Sequence, residues 1–381
     1  MTDKEHLPGK NEKFKKFIIN GLLFSFSIVI TFTILEIAYR IIEMINEASS
    51  PNIIRESINR DELKDAQNVS WVTFDKDLGY KLRPNYGDFN SDGLRDDPIS
   101  PNKDHFRLLM LGDSQFFIGG SRDSTIPGRL EQLLKKDTTL NSIRVINAGI
   151  PGYTNYQELI FLKKYGLRFH PDLVCIGFVL NDLHKFLHQF EIRDDKIVGD
   201  NWVFTEKAKG SVEYPLFERL FQKSHFFRWL RYRLAIVNNL LKLMREKGYS
   251  FDYRTDVNTA WKDEYWVQIE KQFNEFITLS KNYHFKLFVV VFPFGEQYRW
   301  DYLHRDKTYV LKPQTKLRQI CAKFEIPFLD LYPFLSYEDH FKDDLIHLND
   351  RGLQTSAQYI ALELKSRNLL PLNKKKRSIK P

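Results

Sequence analysis

Cysteine is nearly absent: Cys175 and Cys321 are the two among 381 residues, and neither has a second thiol at ligand spacing. A disulfide scaffold and a cysteine zinc site are therefore excluded, and the redox compartment is not legible from them. Internal repeats and a Gly-rich phosphate loop are also missing, which removes solenoids and P-loop phosphate chemistry. The shortage of aromatics and the unbalanced charge that accompany disorder are not found. Aromatic residues make up 14% and hydrophobic ones 43%, with 57 Lys and Arg against 49 Asp and Glu. The length suits two or three domains, or one large α/β domain with insertions.

Long apolar runs are scarce as well, with one conspicuous case. From Phe17 to Leu35 nineteen residues pass without a charge, which at about 1.5 Å per residue nearly matches a hydrocarbon core of ~30 Å. A cleavable signal peptide is the competing reading, but the run exceeds an ordinary signal core and no small-x-small cleavage site follows in EIAYRIIEMINEA. The expectation is a retained transmembrane anchor helix over 17–46. Lys10, Lys13, Lys15 and Lys16 precede the run, and Glu36, Arg40 and Glu43 follow it. The positive-inside rule then keeps the basic terminus 1–16 in the cytoplasm and exports the remainder, to the periplasm or cell surface. Glu36 and Arg40 stand i, i+4, which carries the helix past the bilayer with Ile37, Ile41 and Ile45 on it.

The net charge of +8 sits at the ends. Lys4, Lys10, Lys13, Lys15 and Lys16 against Asp3, Glu5 and Glu12 hold two of the eight, and Lys374, Lys375, Lys376, Arg377 and Lys380 hold five. The body between is close to neutral, so nucleic acid is not an expected partner, and the basic tail 373–381 reads as solvated or as brushing anionic envelope polymer or lipid.

Residues 47–103 mix Ser, Asn, Pro and Gly with charges and hold no sustained period, which predicts a stalk leading into irregular structure. From 104 to 372 short apolar runs alternate with longer amphipathic ones. Strands are predicted at Phe106–Leu111, Ile143–Asn147, Leu173–Phe178, Leu287–Phe292 and Pro327–Leu331, and helices near 127–136, 155–166, 267–282, 313–324 and 351–366. Nearly continuous apolar strands suit a parallel sheet covered on both faces, a doubly wound α/β domain with its ligand outside the carboxyl ends of the strands. Residues 183–262 exceed an ordinary crossover. Their basic, aromatic middle predicts a helical insertion, with its own small core, a lid over the site or a face on the membrane as the alternatives. His184 and His188 stand i, i+4 but lack the Glu of a metalloprotease helix, so they read as a solvated helix face.

Chemistry gathers at the strand ends. The first ends in Gly112-Asp113-Ser114, the second in Asn147-Ala148-Gly149-Ile150-Pro151-Gly152, the third in Gly177 to Asn181-Asp182, and Asp344-Leu345-Ile346-His347 follows the last. Singly, these are a turn, a cap or a surface histidine. In this order they supply a hydroxyl nucleophile, donors for an oxyanion, a base and a carboxylate to orient the base on one helical turn or tight loop.

These four blocks resemble the SGNH hydrolases, or GDSL-type esterases and lipases, over about residues 104–366. GYKLRPN, NSDGLRD and NAGIPGYTNYQEL are similar to the membrane-anchored bacterial branch. The resemblance implies a three-layer, flavodoxin-like sheet, Ser114 as nucleophile, His347 as base and then acid, and Asp344 as its orienter. It implies an oxyanion hole of the Ser114 N–H, the Gly149 N–H and the Asn181 side-chain amide, with no metal or organic cofactor. Gly177 departs from the family spacing, four residues before Asn181 instead of two. The function implied is serine ester hydrolysis outside the cytoplasm on an acylated carbohydrate or lipid, through an acyl-enzyme. An O-acyltransferase acting on envelope polysaccharide is the alternative, and a non-catalytic envelope module is the third class.

Overall fold

A computed structural model describes residues 71–137, 139–140, 142–193, 196–202, 248–252, 256–342 and 344–371, with 226, 254 and those of 19–41 other than 21, 22, 25, 28, 29 and 39. The basic terminus 1–16, the predicted stalk as far as residue 70, Ile45, most of the insertion and the tail 373–381 lie outside the described residues. The chain divides into two compact units, 1–52 with 211–246, and 53–210 with 247–381.

In the first unit the described residues between 19 and 41 are helical. The expected i, i+4 pair is formed, with Arg40 Nε 2.8 Å from Glu36 Oε1. Glu36 Oε2 accepts from the Phe226 N–H at 2.8 Å, and the Phe32 and Phe226 rings meet edge to face at 6.1 Å. Among the described residues no helix is long and apolar enough to cross a membrane.

The second unit is built on five parallel strands, β3 (Phe106–Gly112), β4 (Ile143–Gly149), β5 (Leu173–Phe178), β8 (Lys286–Val291) and β9 (Phe328–Asp330), in the order β4-β3-β5-β8-β9. This is the doubly wound order in which the crossover direction reverses between β3 and β5, leaving a crevice at their carboxyl ends. Strand residues alternate between two cores. Leu109, Leu111, Val174 and Ile176 face one with Phe273 and Leu317, and Leu108, Met110, Leu173 and Cys175 face the other with Leu130 and Ile360. Burial on both faces is the reason the strands read as unbroken apolar runs. Each of the five strands and five helices predicted by range between 104 and 372 is present within a few residues of its expected bounds. Caps set the helix starts: Thr125 accepts from Gly128 N, Thr154 from Gln157 N, and Asn349 from Arg351 N and Gly352 N.

Four expectations are corrected. Residues 71–82 are neither stalk nor irregular, since β1 (Val72–Asp75) and β2 (Gly79–Leu82) pair antiparallel; 83–103 hold no helix or strand, as expected, but with Leu78, Tyr80 and Leu82 they bury Leu94 in the main core. Strands of four residues are too short to show a period. The described start of the 183–262 insertion is a hairpin, β6 (His188–Arg193) with β7 (Lys196–Trp202), and its end packs Tyr249, Phe251 and Trp261 into the core. With His184 in a loop and His188 opening a strand, the two histidines share no helix face. Asp344 to His347 belong to β11 (Asp344–Leu348), opposite β10 (His340–Phe341). Because His340 pairs Leu348 and Phe341 pairs Asp344, residues 345–347 bulge out between them. A helix at Trp300–Val310 goes unpredicted.

Candidate active site

Gly112 ends β3, Gly149 ends β4 and Gly177 is the penultimate residue of β5, and the three stand in register, Gly112 opposite both of the others. A Cβ on Gly112 or Gly177 would stand 2.6 or 2.5 Å from the Phe116 ring, and one on Gly149 would stand 2.7 Å from the Phe116 Cβ. The three glycines therefore form a floor for Phe116, which lets the short helix α1 (Ser114–Phe117) lie down on the sheet. Gly177 has this packing role. Asp113 caps α1, its Oδ1 accepting from Gln115 N at 2.9 Å, and Asn147 Nδ2 holds the Phe116 carbonyl at 3.0 Å.

Ser114 Oγ lies 2.8 Å from His347 Nε2, and His347 Nδ1 donates to Asp344 Oδ2. Asp344 is itself fixed, since Oδ1 accepts from Ile346 N at 3.0 Å and His347 N at 3.4 Å. Gln115 Nε2 donates to the Ile346 carbonyl at 2.6 Å, so the nucleophile's helix is tied to the histidine's bulge. The bulge brings together two side chains that a regular strand would send to opposite faces. Burial opposes charge on the Asp344 carboxyl, but the bond and charge of His347 outweigh it and hold the carboxyl at about 2. Burial likewise disfavours the imidazolium of His347. The bond and charge of Asp344, helped by Asp113, outweigh this and raise the group above its ordinary 6.5. The arrangement orients the ring, fixes its tautomer and strengthens it as a base.

The structure corrects one oxyanion donor. The Gly149 N–H points to Asn147 Oδ1 at 2.9 Å and is spent there. Three residues on, Gly152 is half-buried at φ +77°, a conformation that suits glycine, and its N–H donates to no described acceptor. The Pro-Gly turn signal at 151–152 marks it in the sequence. Its loop is anchored by Tyr80 Oη donating to the Pro151 carbonyl at 2.5 Å and Tyr153 Oη to the Tyr80 carbonyl at 2.6 Å. Asn181 is buried with its side chain bonded to Asp113, which engages one amide hydrogen and leaves the second.

Sequence reasoning missed Asp113, Glu158 and Asp182 as a group. All three carboxyls are buried, and burial pushes each upward. A polar residue within a helix or just after a strand carries no sign of burial, so no sequence signal marks the cluster.

The sequence profile of the GDSL-like Lipase/Acylhydrolase family matches residues 110–355. No curated protein matches the chain. Solved structures with a similar chain course include a lipolytic protein of the G-D-S-L family from Desulfitobacterium hafniense DCB-2, at 11% identity and TM-score 0.38, covering 68% of this chain and 100% of that one. The lipase/acylhydrolase from Enterococcus faecalis is 15% identical with TM-score 0.38, over 70% and 97% of the two chains. The aryl esterase of M. smegmatis is 13% identical with TM-score 0.38, over 68% and 99%.

Proposed function

The chain belongs to the GDSL-like lipase/acylhydrolase family and is an ester-hydrolysing enzyme, and from that premise we propose that it is a membrane-anchored serine ester hydrolase acting outside the cytoplasm. The observation that carries the mechanism is the Ser114, His347, Asp344 chain with Ser114 Oγ 2.8 Å from His347 Nε2. Ser114 Oγ attacks the ester carbonyl as its proton passes to Nε2. The N–H groups of Ser114 and Gly152 and the free amide hydrogen of Asn181 stabilise the oxyanion. His347 then protonates the departing alcohol, and in the second half it takes a proton from the water that releases the acid and restores Ser114.

The exposed apolar side chains of the amino-terminal helix support the anchor. Leu23, Phe24 and Phe26 are each at least 60% exposed, more apolar surface than water tolerates without a cover. The substrate is an acylated carbohydrate or lipid of the envelope, met on the periplasmic or surface side.

The test is full-length protein in detergent with p-nitrophenyl acetate. Turnover by wild type, none by Ser114→Ala, and a loss of roughly 10²- to 10³-fold for Asn181→Ala are expected. Equal turnover by wild type and the Ser114 variant would falsify the reading. Mass spectrometry with an oligosaccharide acceptor separates water from a sugar hydroxyl as the second-step nucleophile, the transferase alternative.

A further inference from the structure

Helix α3 (Asn155–Lys164) carries Glu158, and both of its carboxyl oxygens are buried without a hydrogen-bond partner. Two more orphaned acceptors belong to the loop after β5, Asn181 Oδ1 and Asp182 Oδ1. Four acceptors with no donor are costly in a dry interior, whereas a carboxylic O–H supplies the missing donor. Every group acting on Glu158 is acidic or neutral. The Asp113 charge acts on Glu158, Glu158 in turn acts on Asp182 and on the Cys175 thiol, and no cation acts on it among the described residues. The lysines of its own helix are turned away, Lys163 to Glu275 and Lys164 to Asp75 and Asp77. The helix packed alongside brings up Gln272, whose Oε1 accepts from Asn155 Nδ2 and which makes no bond to Glu158.

We propose that Glu158 is a positioning residue for the oxyanion donor: it stays a neutral carboxylic acid whose O–H bonds Asp182 Oδ1, tying α3 to the loop that carries Asn181. Asp182 transmits the restraint, since its Oδ2 accepts from Val179 N at 2.7 Å and closes the turn around Asn181. Thr154 at the start of α3 adds a second tie, its Oγ1 donating to the Lys185 carbonyl at 3.0 Å on the far side of the same loop. A neutral Glu158 also leaves the negative charge of the cluster with Asp113, the member that acts on His347. Buried like charges that act on one another do not all ionise, so one proton is held among the three carboxyls.

The positioning role rests on the oxyanion role assigned to Asn181. Infrared difference spectra of the full-length protein at neutral pH should hold the C=O band of a buried carboxylic acid, absent from Glu158→Gln. With p-nitrophenyl acetate, Glu158→Gln, which keeps a donor at this place, should stay within about threefold of wild-type kcat, while Glu158→Leu should lose about tenfold in kcat with KM little changed. An identical band in Glu158→Gln, or wild-type kcat in Glu158→Leu, overturns the inference. Should Glu158→Leu not fold, the infrared band and the Gln variant still decide it. Absence of turnover in wild type would sink the hydrolase reading, and the infrared band would still report the proton on Glu158.

Discussion

At Ser114 the difference between a surface hydroxyl and a nucleophile is one acceptor, His347 Nε2 at 2.8 Å, set against Asp113 Oδ2 at 3.2 Å for the same proton. Asp344 decides how well that acceptor works. His347 is raised above 6.5 and must be neutral to accept a proton, so kcat/KM should climb with pH through an apparent value above 6.5. Asp344→Asn removes the anion and the acceptor for Nδ1–H. The acid limb should move to lower pH while the rate falls by about 10³ to 10⁴, as a pH–rate series on both forms would show. That Ser114, His347, Asp344 and Asn181 would be gathered at one place was legible from the order of four motifs. The choice of glycine was not, because Gly149 closes β4 and Gly152 follows three residues on, and only the backbone geometry shows which N–H is already occupied by Asn147.

At the scale of elements, three neighbouring strands carry glycine at or next to their carboxyl ends, and one aromatic ring lies across them. Gly177→Ala places a Cβ 2.5 Å from the Phe116 ring. Overpacking of this kind should cost about 1–3 kcal/mol, read from the denaturant midpoint, and should lower kcat because α1 carries Ser114. Unchanged stability would refute the glycine floor. The five parallel strands were readable because burial on both faces writes an apolar run into each. The hairpins and the β10–β11 bulge were not, since pairs of two to seven residues are specified by their partners and leave too short a pattern to read.

Over the whole catalytic unit, residues far apart in the chain hold the site layer together. Arg95 Nη1 donates to the carbonyls of Phe117 at 2.7 Å and Gly119 at 3.0 Å, just past the nucleophile's helix, and Asp96 binds Arg144 and the Asn147 N–H. Arg95→Ala orphans two buried carbonyls and should cost about 1–3 kcal/mol in chemical denaturation. Stability should also depend on pH through Glu158. The unfolded chain releases that proton near the ordinary value of 4.5, the fold retains it to higher pH, and stability therefore falls as pH rises through that window. Glu158→Gln should flatten the fall; an unchanged slope would place the titration elsewhere. For the first unit, a reporter active only outside the cytoplasm, fused after Pro381, should work, and activity of a cytoplasmic reporter alone would reverse the proposed orientation. By itself the sequence determined the parallel α/β class, the strand and helix positions and the four motifs that the fold gathers at the candidate site, because periodicity and motif order are local properties. Tertiary structure alone decided that residues 71–103 brace the site, that a bulge joins Asp344 to His347, and that the carboxyls of Asp113, Glu158 and Asp182 are all buried. Those depend on which distant segments come together and on what water is excluded from between them.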